Sequence, residues 1–486
     1  MKKMAIQAKS DRARGWLMLA DALALLMAFG LALGLLLLLR GHRIGPSFVQ
    51  WWHAEGIQQA LAFGLLLLLA VATFWWRGHY TLRLPFWDEL REIIRSLLLV
   101  AMLNGMVVLF AKWPVSRFLW PVSWGLALVL LPVFRAWMKG WLLKANAWQL
   151  PTVIVGVGSH AVEAWRAMQS ERLLGFDVRA FVAVGNSGPE SLEVAPGRSL
   201  PVYYPDKLLP WLEAQGHPHV TIAVNEQELR EIAGQIELIS LSYKDLHVIP
   251  PLAGLPLFGV TANHFFSHEV LLLRVRNNLA SKPMMLAKRI FDIFGSAVGL
   301  LLLAPLFAYL AIQIKRQGGP GSVLFGHERI GMNGQPFKCW KFRTMTHNSA
   351  EVLEQLLATD PAAREEWNKD FKLKNDPRVT PIGAFLRRSS LDEIPQLWNV
   401  LKGEMSLVGP RPVIHAELER YAGRVEFYLE ARPGLTGLWQ VSGRNETTYE
   451  ERVSLDAWYV KNWNLWYDIA ILCKTIRTVV SGRGAY

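Results

Sequence analysis

Two adjacent carboxylates, Asp392 and Glu393, lie in the C-terminal third of the chain, within Leu386-Arg-Arg-Ser-Ser-Leu-Asp-Glu-Ile-Pro-Gln-Leu397. Arginines interleaved with glycine and proline turns surround this pair along the sequence: Arg343, Arg378, Arg387, Arg388, Arg411 and Arg444. Guanidinium groups bind phosphate oxygens in a bidentate manner, and a carboxylate pair can bind Mg²⁺ or supply a nucleophile. These residue types predict phosphoryl transfer on an anionic, metal-bound substrate at a membrane surface.

The composition is that of a membrane protein with soluble parts. Of the 486 residues, 52% are apolar and 19% are charged, and the mean hydropathy is +0.20. These values exclude a disordered chain and argue against a wholly soluble one. The formal net charge of +12 favours anionic headgroups or anionic substrates as partners, and we expect no nucleic-acid partner. Two cysteines, Cys339 and Cys473, cannot build a disulfide framework and fit a reducing compartment.

Four apolar segments precede residue 140 and predict transmembrane helices: Trp16–Leu39, Ile57–Trp76, Ile93–Ala111 and Phe118–Phe134. Twelve Lys and Arg residues flank these segments on one side of the membrane, against four on the other. The positive-inside rule therefore places the N-terminus and everything after residue 140 in the cytoplasm. Arg95 lies within the third segment and argues against a transmembrane helix there, unless its side chain reaches the membrane interface from the helix end.

The middle of the chain predicts a doubly wound α/β domain. Pro151–Ala161 has the pattern of a buried strand followed by Gly-x-Gly-x-x-Ala and a helix, and further strands are expected at 177–184 and 219–224. A dinucleotide site would need an acid at the end of the second strand, where the chain has Gly185-Asn186. The pattern therefore favours a Rossmann-like domain without a cofactor over one that binds a dinucleotide.

A further apolar segment, Phe291–Ile314, is long enough to cross the bilayer. Lys288-Arg289 precede it and Lys315-Arg316 follow it, so both ends are expected in the cytoplasm. Ala304-Pro305 lies near its middle, where proline removes a backbone hydrogen bond and can bend a helix. We expect a bent helix that enters and leaves the same leaflet; a kinked crossing helix is the alternative.

The strings LDEIPQLWNVLKGEMSLVGPRP and RPGLTGLWQVSGR resemble the catalytic domain of bacterial polyprenyl-phosphate sugar-1-phosphate transferases, the monotopic phosphoglycosyl transferases. The resemblance extends over the whole chain and implies three domains. These are a membrane α-helical bundle of four transmembrane helices (1–145), a degenerate Rossmann-like α/β domain (146–280) and a monotopic α/β catalytic domain (281–486). It further implies a re-entrant membrane helix at about 286–314, broken at Ala304 and Pro305.

The resemblance also implies a role for each matching residue. Asp392 corresponds to the nucleophile that attacks the sugar-bearing phosphorus of a UDP-sugar, Glu393 to the Mg²⁺ ligand, and Asp468 to a supporting catalytic aspartate. The residues implied to bind phosphate and nucleotide are Lys341, Arg343, Asp376, Arg378, Arg387, Arg388, Arg411, Pro412 and Arg444. The implied reaction releases UMP, forms a phosphosugar–aspartyl intermediate and transfers the sugar phosphate to undecaprenyl phosphate.

The resemblance further implies a homodimer among the lipids of the bacterial inner membrane, with the catalytic domain facing the cytoplasm. The product would start O-antigen, capsule or exopolysaccharide synthesis. Stretches outside the catalytic core, FSHEVLLLRVRNNLA and WYVKNW among them, are most similar to galactose-1-phosphate transferases, so UDP-galactose is the expected donor and UDP-glucose the alternative.

Two interpretations from other classes compete with this one. The first is a membrane-bound NAD-dependent sugar-nucleotide dehydratase or epimerase that uses the turn at Gly156 and Gly158 and would need a Tyr-x-x-x-Lys dyad. The second is that the first 280 residues act as a scaffold or regulator of polysaccharide assembly, which is compatible with catalysis by the remainder.

Overall fold

A computed structural model describes residues 2–39, 49, 53, 56–110, 118–183, 188–243, 245–251, 255, 260–264, 271–275, 277–360, 364, 376–443 and 447–481. The chain divides into two compact units, Met1–Ala253 and Gly254–Tyr486. The first unit combines long helices with an α/β sheet, and the second combines one long apolar helix with short strands and helices.

The first unit begins with four long helices at the positions where spans were predicted. They are α1 (Lys2–Leu39), α2 (Ile57–Trp76), α3 (Phe86–Phe110) and α4 (Leu119–Lys144). Among the described helices of the whole chain, three are long and apolar enough to cross a membrane, namely Asp11–Leu39, Leu119–Lys144 and Lys282–Gly318. Ala60–Trp76 is a shorter apolar helix, and the predicted third span lies in α3, whose first turn carries Asp88 and Glu89. The chain thus joins membrane helices to α/β structure.

Four ionisable side chains lie buried where α1, α3 and α4 meet. Arg135 of α4 donates from Nε and Nη2 to the two carboxylate oxygens of Asp21 in α1, with an Nε–Oδ1 distance of 3.1 Å. Tyr80 donates its hydroxyl hydrogen to Asp21 over 2.9 Å. Lys139 Nζ lies 2.8 and 2.7 Å from the carboxylate oxygens of Glu89 in α3. Two positive and two negative charges therefore compensate one another, which offsets the cost of removing them from water.

A six-stranded sheet follows, in the spatial order β3-β4-β2-β1-β5-β6. Its strands are β1 (Leu150–Val155), β2 (Phe176–Val182), β3 (Ser191–Ala195), β4 (Arg198–Tyr203), β5 (His219–Ile222) and β6 (Leu246–Val248). All neighbours pair in parallel except β3 and β4. The helices of this part are α5 (Ser159–Ser170), α6 (Leu208–Ala214), α7 (Glu226–Glu231) and α8 (Ala233–Ser242), with a 3₁₀ turn at Arg172–Leu174. The predicted strands of the doubly wound domain are therefore present.

The glycine turn after β1 serves close packing. Gly156 has φ +126°, and a Cβ there would lie 2.2 Å from the carbonyl oxygen of Ala223 beyond β5. In the first turn of α5, the His160 ring lies 2.9 Å from the carbonyl oxygen of Ile249, which follows β6. This contact crosses the edge of the sheet where dinucleotide-binding folds hold their ligand. The predicted acid position, Gly185-Asn186, lies outside the described residues.

Tyr203 and Lys207 have the spacing of the Tyr-x-x-x-Lys dyad that the dehydratase or epimerase interpretation needs. In the structure Tyr203 ends strand β4, and Lys207 is the extended residue that precedes α6. Residues four apart share a face only within a helix, so these two side chains do not form a helical pair. The structure therefore provides no helical Tyr–Lys pair at these positions to support this interpretation.

The second unit begins with two short strands, β7 (Thr261–His264) and β8 (Leu271–Arg274), and the long helix α9 (Lys282–Gly318). An antiparallel hairpin follows, β9 (Leu324–Ile330) and β10 (Pro336–Phe342), and then a parallel pair, β11 (Ser406–Val408) and β12 (Gly434–Thr436). The remaining helices are α10 (Ser349–Thr359), α11 (Pro381–Ser389), α12 (Gln396–Lys402), α13 (His415–Leu418), α14 (Val425–Glu430), α15 (Leu438–Ser442), α16 (Tyr449–Lys461) and α17 (Leu465–Ser481). Short 3₁₀ turns occupy Met332–Gly334, Leu391–Glu393 and Glu419–Arg424.

One hydrophobic core holds these short elements together. Leu310 and Ile314 of α9 pack in it with Phe342 of β10, Leu386 of α11 and Val400 of α12. All five side chains are at most 2% exposed. The core therefore fixes α11 and α12, the two helices on either side of Asp392 and Glu393, against α9 and the hairpin.

The buried charges of the first unit yield a test of stability. Arg135→Met leaves the Asp21 carboxylate buried without its partner, and such a change typically costs about 3–5 kcal/mol of unfolding free energy. Arg95→Met is the matched control, because Arg95 pairs with Glu92 at 2.8 Å while 61% of its side chain is exposed. We expect a loss of no more than about 1 kcal/mol for the control. Unfolding of both variants in one detergent is the measurement, and similar losses would contradict the prediction.

Candidate active site

The two adjacent carboxylates lie in a tight turn between two helices. Helix α11 ends at Ser389, and the next residue, Ser390, adopts a left-handed conformation with φ +56°. A non-glycine residue in this region is strained, and such strain is concentrated at functional sites. The chain then makes one 3₁₀ turn, Leu391–Glu393, directly before α12. Both acids are therefore placed by a short, packed turn rather than by a long loop.

Lys341 of β10 supplies the cation that the two acids share. Its Nζ lies 2.6 Å from Glu393 Oε1 and 4.0 Å from Asp392 Oδ2. Burial raises the pKa of Asp392, whose side chain is only 15% exposed, and the nearby Lys341 and Arg387 oppose that rise. The carboxyl pair is thus partly removed from water and compensated by positive charge, as an ionised nucleophile requires.

A cleft opens beside this pair. Four residues of the predicted site line it, namely Lys341, Glu393, Arg411 and Pro412. The remaining lining residues are Arg329, Cys339, Gln396, Gly434, Leu435 and Gln440. Arg329, Lys341 and Arg411 give the cleft a wall of positive charge beside Glu393, which suits a diphosphate. The structure therefore brings the predicted acid pair and part of the predicted phosphate-binding set together.

The loop that carries Arg411 is bound through its backbone by a buried carboxyl group, that of Asp456. The Arg411 guanidinium carbon lies 5.7 Å from the centre of the Trp439 ring, within cation–π range. Behind it, Asp456 is 2% exposed and accepts a hydrogen bond from the Tyr421 hydroxyl over 2.9 Å. Burial raises the pKa of Asp456 to about 7, although Tyr421 and Arg411 favour its ionised form. Asp456 was not among the residues predicted from the sequence.

Asp468, predicted as a supporting catalytic residue, lies in a buried network. Its carboxylate accepts from Lys288 Nζ at 2.7 Å, from the Tyr459 hydroxyl at 2.7 Å and from Trp463 Nε1 at 3.1 and 3.2 Å. Lys288 also donates to the carbonyl oxygen of Val408 over 3.1 Å, and the Tyr459 hydroxyl oxygen lies 2.9 Å from that carbonyl oxygen. Val408 ends β11, three residues before Arg411. Burial raises the pKa of Asp468 and the Lys288 ammonium opposes this. The network connects Asp468 to the Arg411 loop through the backbone.

Helix α9 also binds strand β11 through Asp292, which lies one helical turn after Lys288. Asp292 Oδ1 accepts from the Ser406 hydroxyl at 3.0 Å and from the Leu407 backbone N–H at 3.1 Å. A Cβ on Gly295 would lie 2.6 Å from Leu407 Cδ1, and one on Gly299 would lie 3.3 Å from Leu397 Cδ1. The two glycines therefore allow α9 to approach β11 and α12 closely.

The other predicted phosphate-binding residues have different surroundings. Arg343 donates to the carbonyl oxygens of Gly319 and Pro320, at 3.0 and 2.8 Å, just beyond the end of α9. Arg378 makes a bidentate pair with Asp376, with distances of 2.8 and 2.7 Å. Arg387 donates to Thr344 Oγ1 over 3.0 Å. Arg388 is exposed on α11, and Arg444 lies outside the described residues. Ala304 and Pro305 lie within α9, which is helical throughout Lys282–Gly318.

Several cleft residues were not predicted from the sequence, among them Arg329, Gln396 and Gln440. Two weak signals for them exist. Gln396 follows Glu393 by three residues, and Gln440 lies within the string RPGLTGLWQVSGR. Neither signal distinguishes a residue facing the cleft from one packed in the core.

The thiol of Cys339 provides a test of the cleft. Burial raises the pKa of Cys339 to about 11, and the side chain is only 2% exposed, so little thiolate is present at pH 8. Cys473 is exposed. We expect a maleimide at pH 8 to label Cys473 in the native protein and Cys339 only after unfolding. Peptide mass spectrometry measures this, and rapid native labelling of Cys339 would contradict the geometry.

The comparisons with known proteins agree on one family. Residues 283–482 match the bacterial sugar transferase family. Over 424 residues the chain is 48% identical to the UDP-galactose-lipid carrier transferase of Erwinia amylovora. Over the same number of residues it is 47% identical to the undecaprenyl-phosphate galactose phosphotransferase of Salmonella typhimurium. Each of these alignments covers 87% of this chain and 87% of the relative. The chain is also 55% identical over 201 residues to the exopolysaccharide production protein ExoY of Rhizobium meliloti. That alignment covers 41% of this chain and 88% of ExoY. The chain belongs to the bacterial sugar transferase family.

Proposed function

We propose that the protein transfers galactose-1-phosphate from UDP-galactose to undecaprenyl phosphate, giving undecaprenyl-diphosphate-galactose and UMP. The observation that carries this proposal is the pair Asp392 and Glu393, compensated by Lys341 beside a cleft lined with arginines. Relatives named for this transfer, which the chain matches over most of its length, support the choice of substrates. The product would begin O-antigen, capsule or exopolysaccharide synthesis.

The reaction proceeds in two half-reactions at one carboxylate. An oxygen of Asp392 attacks the sugar-bearing phosphorus, a new P–O bond forms, and the bond from that phosphorus to the bridging oxygen breaks. UMP leaves with the bonding electron pair, and the galactosyl phosphate remains on Asp392. A phosphate oxygen of undecaprenyl phosphate then attacks the same phosphorus and releases the carboxylate. The covalent intermediate allows a soluble substrate and a membrane-bound substrate to use the cleft in turn.

The acid pair also fits a divalent cation. Oxygens of both carboxylates face the Lys341 ammonium, and carboxylate oxygens are the ligands that Mg²⁺ prefers. Within the described part of the chain, no cluster of three or more His, Cys, Asp or Glu side chains could hold a metal ion. Glu393, with Asp392 beside it, would hold Mg²⁺, which is commonly bound by one or two carboxylates together with substrate phosphates. When bound, Mg²⁺ supplies charge neutralisation of the diphosphate.

The proposal includes a re-entrant placement of α9 in the cytoplasmic leaflet of the bacterial inner membrane. At about 1.5 Å per residue, a helix of this length would reach about 55 Å if straight. Both of its ends nevertheless pack on one compact unit: Lys288 binds β11, and Gln317 Oε1 accepts from the Ile382 N–H over 2.9 Å. Between these anchors, Leu301 and Leu302 are 76% and 73% exposed and would face lipid. Such a helix brings the cleft to the depth of a lipid phosphate.

The remaining parts of the proposal concern the first unit and the assembly. Helices α1–α4 would provide four transmembrane spans with both termini of the chain in the cytoplasm, and the α/β domain would bind no dinucleotide. The enzyme would act as a homodimer. UDP-glucose as the donor is the second candidate function, and a scaffold role of the first unit is compatible with either donor.

The direct test is UMP release by the full-length protein in detergent with Mg²⁺, undecaprenyl phosphate and either UDP-galactose or UDP-glucose. We expect a preference for UDP-galactose. Without the lipid acceptor, mass spectrometry is expected to find a hexose-phosphate adduct on the peptide that contains Asp392. Asp392→Asn is expected to form no adduct. Glu393→Gln is expected to retain a reduced rate that rises with added Mg²⁺.

Asp177→Asn is the matched control. Asp177 pairs with Arg179 on β2, which belongs to the first unit, whereas the cleft lies in the second unit. It is expected to leave the rate unchanged. An adduct on the Asp392→Asn protein would refute the assignment of the nucleophile. A clear preference for UDP-glucose would refute the choice of sugar and leave the chemistry intact.

The placement of α9 is tested separately with two isosteric substitutions, Ser281→Cys and Ser322→Cys, each in a Cys473→Ser background. These positions flank α9 at its two ends. If α9 is re-entrant, an impermeant thiol reagent added to intact cells labels neither position, while both react after permeabilisation. Labelling of Ser322→Cys alone in intact cells would mean that α9 crosses the membrane.

A further inference from the structure

Gln396 is a buried amide at the edge of the cleft. It is the first residue of α12, one turn after Glu393, and it lines the cleft together with Lys341 and Arg411. The residue is only 3% exposed. A buried side-chain amide usually has hydrogen-bond partners in the protein, because its desolvation is otherwise uncompensated.

The amide of Gln396 makes no hydrogen bond to another side chain or backbone group in the described residues. Asn399 on the same helix shows the contrast. Its Nδ2 donates to the Lys338 carbonyl oxygen at 2.7 Å and to Glu404 at 2.6 Å, and its Oδ1 accepts from the Trp340 N–H at 3.1 Å. Asn399 is thus occupied in joining α12 to β10, whereas the Gln396 amide is available to a molecule in the cleft.

The position of Gln396 indicates which part of the donor it meets. It follows Asp392 by four residues and Glu393 by three, across a single tight turn. Arg329, Lys341 and Arg411 already supply the cationic groups of the cleft. A neutral amide adds two N–H donors without further charge, which suits a phosphoryl oxygen whose charge changes as the bond to Asp392 forms.

The geometry points to Gln396 as a further catalytic residue, whose Nε2 donates a hydrogen bond to a non-bridging oxygen of the phosphoryl group attacked by Asp392. During the step the Asp392–phosphorus bond forms, the bond to the leaving UMP breaks, and UMP takes the electron pair. Gln396 keeps both of its protons throughout. This inference rests on the proposed function, because it needs the phosphoryl group of a nucleoside diphosphate sugar in the cleft.

Gln396→Met tests it in the full-length protein, since methionine keeps the length of the side chain and removes the amide. Loss of one such donor typically lowers kcat by about 10²–10³-fold. We expect that loss in the single-turnover rate of UMP release, with the KM for UDP-galactose and the inhibition constant of UMP changed by less than about threefold. Gln335→Met is the control, because Gln335 is exposed beside the β9–β10 hairpin and outside the cleft lining. It is expected to behave as the wild type.

Each outcome decides the question. A wild-type protein that releases no UMP would refute the proposed function, whereas an active wild type with an unimpaired Gln396→Met variant would refute only the role of Gln396. A raised KM and a raised UMP inhibition constant with unchanged kcat would place Gln396 on the uridine end of the donor and overturn the inference. If Gln396→Met fails to fold, the isosteric Gln396→Glu replaces it. That variant must lower the single-turnover rate by at least the same factor, and a normal rate would overturn the inference.

Discussion

The ion pair between Lys288 and Asp468 is the contact on which the C-terminal unit depends. Lys288 lies on the long apolar helix α9, and its buried ammonium is received by a carboxylate and a carbonyl oxygen. Removing either partner would leave a buried charge uncompensated, which is far more costly than losing a surface pair. The same pair fixes the end of β11, and the Arg411 loop begins there. The position of α9 and the shape of the cleft therefore depend on one electrostatic contact.

The sequence pointed to the acid pair and to several of the residues that lie around it in the structure. Adjacent acids among arginines restrict the possible chemistry, and the structure places Lys341, Glu393, Arg411 and Pro412 around one cleft, with Asp392 beside it. The sequence alone could not separate the arginines that face the cleft from the arginines that bind partners elsewhere in the fold. Arg343 receives its partners from the end of α9, more than 20 residues away in the sequence, and only the folded chain brings the two together.

The fold was predictable where periodicity dominates and less so where charges are buried. Three strands of the α/β domain, β1, β2 and β5, follow from short apolar runs and lie where they were expected, whereas β3, β4 and β6 were not predicted. The predicted third span, Ile93–Ala111, left out the charged first turns of α3, because the sequence does not reveal that Glu89 is paired with Lys139 of α4. Asp456 and Gln396 were missed for a related reason. Gln396 is buried in the wall of the cleft and Asp456 is buried near Arg411, and a single sequence does not encode such burial locally.

The close contacts of Gly295 and Gly299 bear on how copies of the chain can associate. The two residues form a Gly-x-x-x-Gly motif within an apolar helix, a pattern commonly associated with the pairing of membrane helices. Here the small face is already filled from within the same chain by Leu407 and Leu397. A second copy cannot approach α9 along that face without displacing the leucines, and with them the strand that leads to Arg411. Self-association of the chain must therefore use a different surface, and substitutions of these glycines would damage the cleft before they affected the oligomeric state.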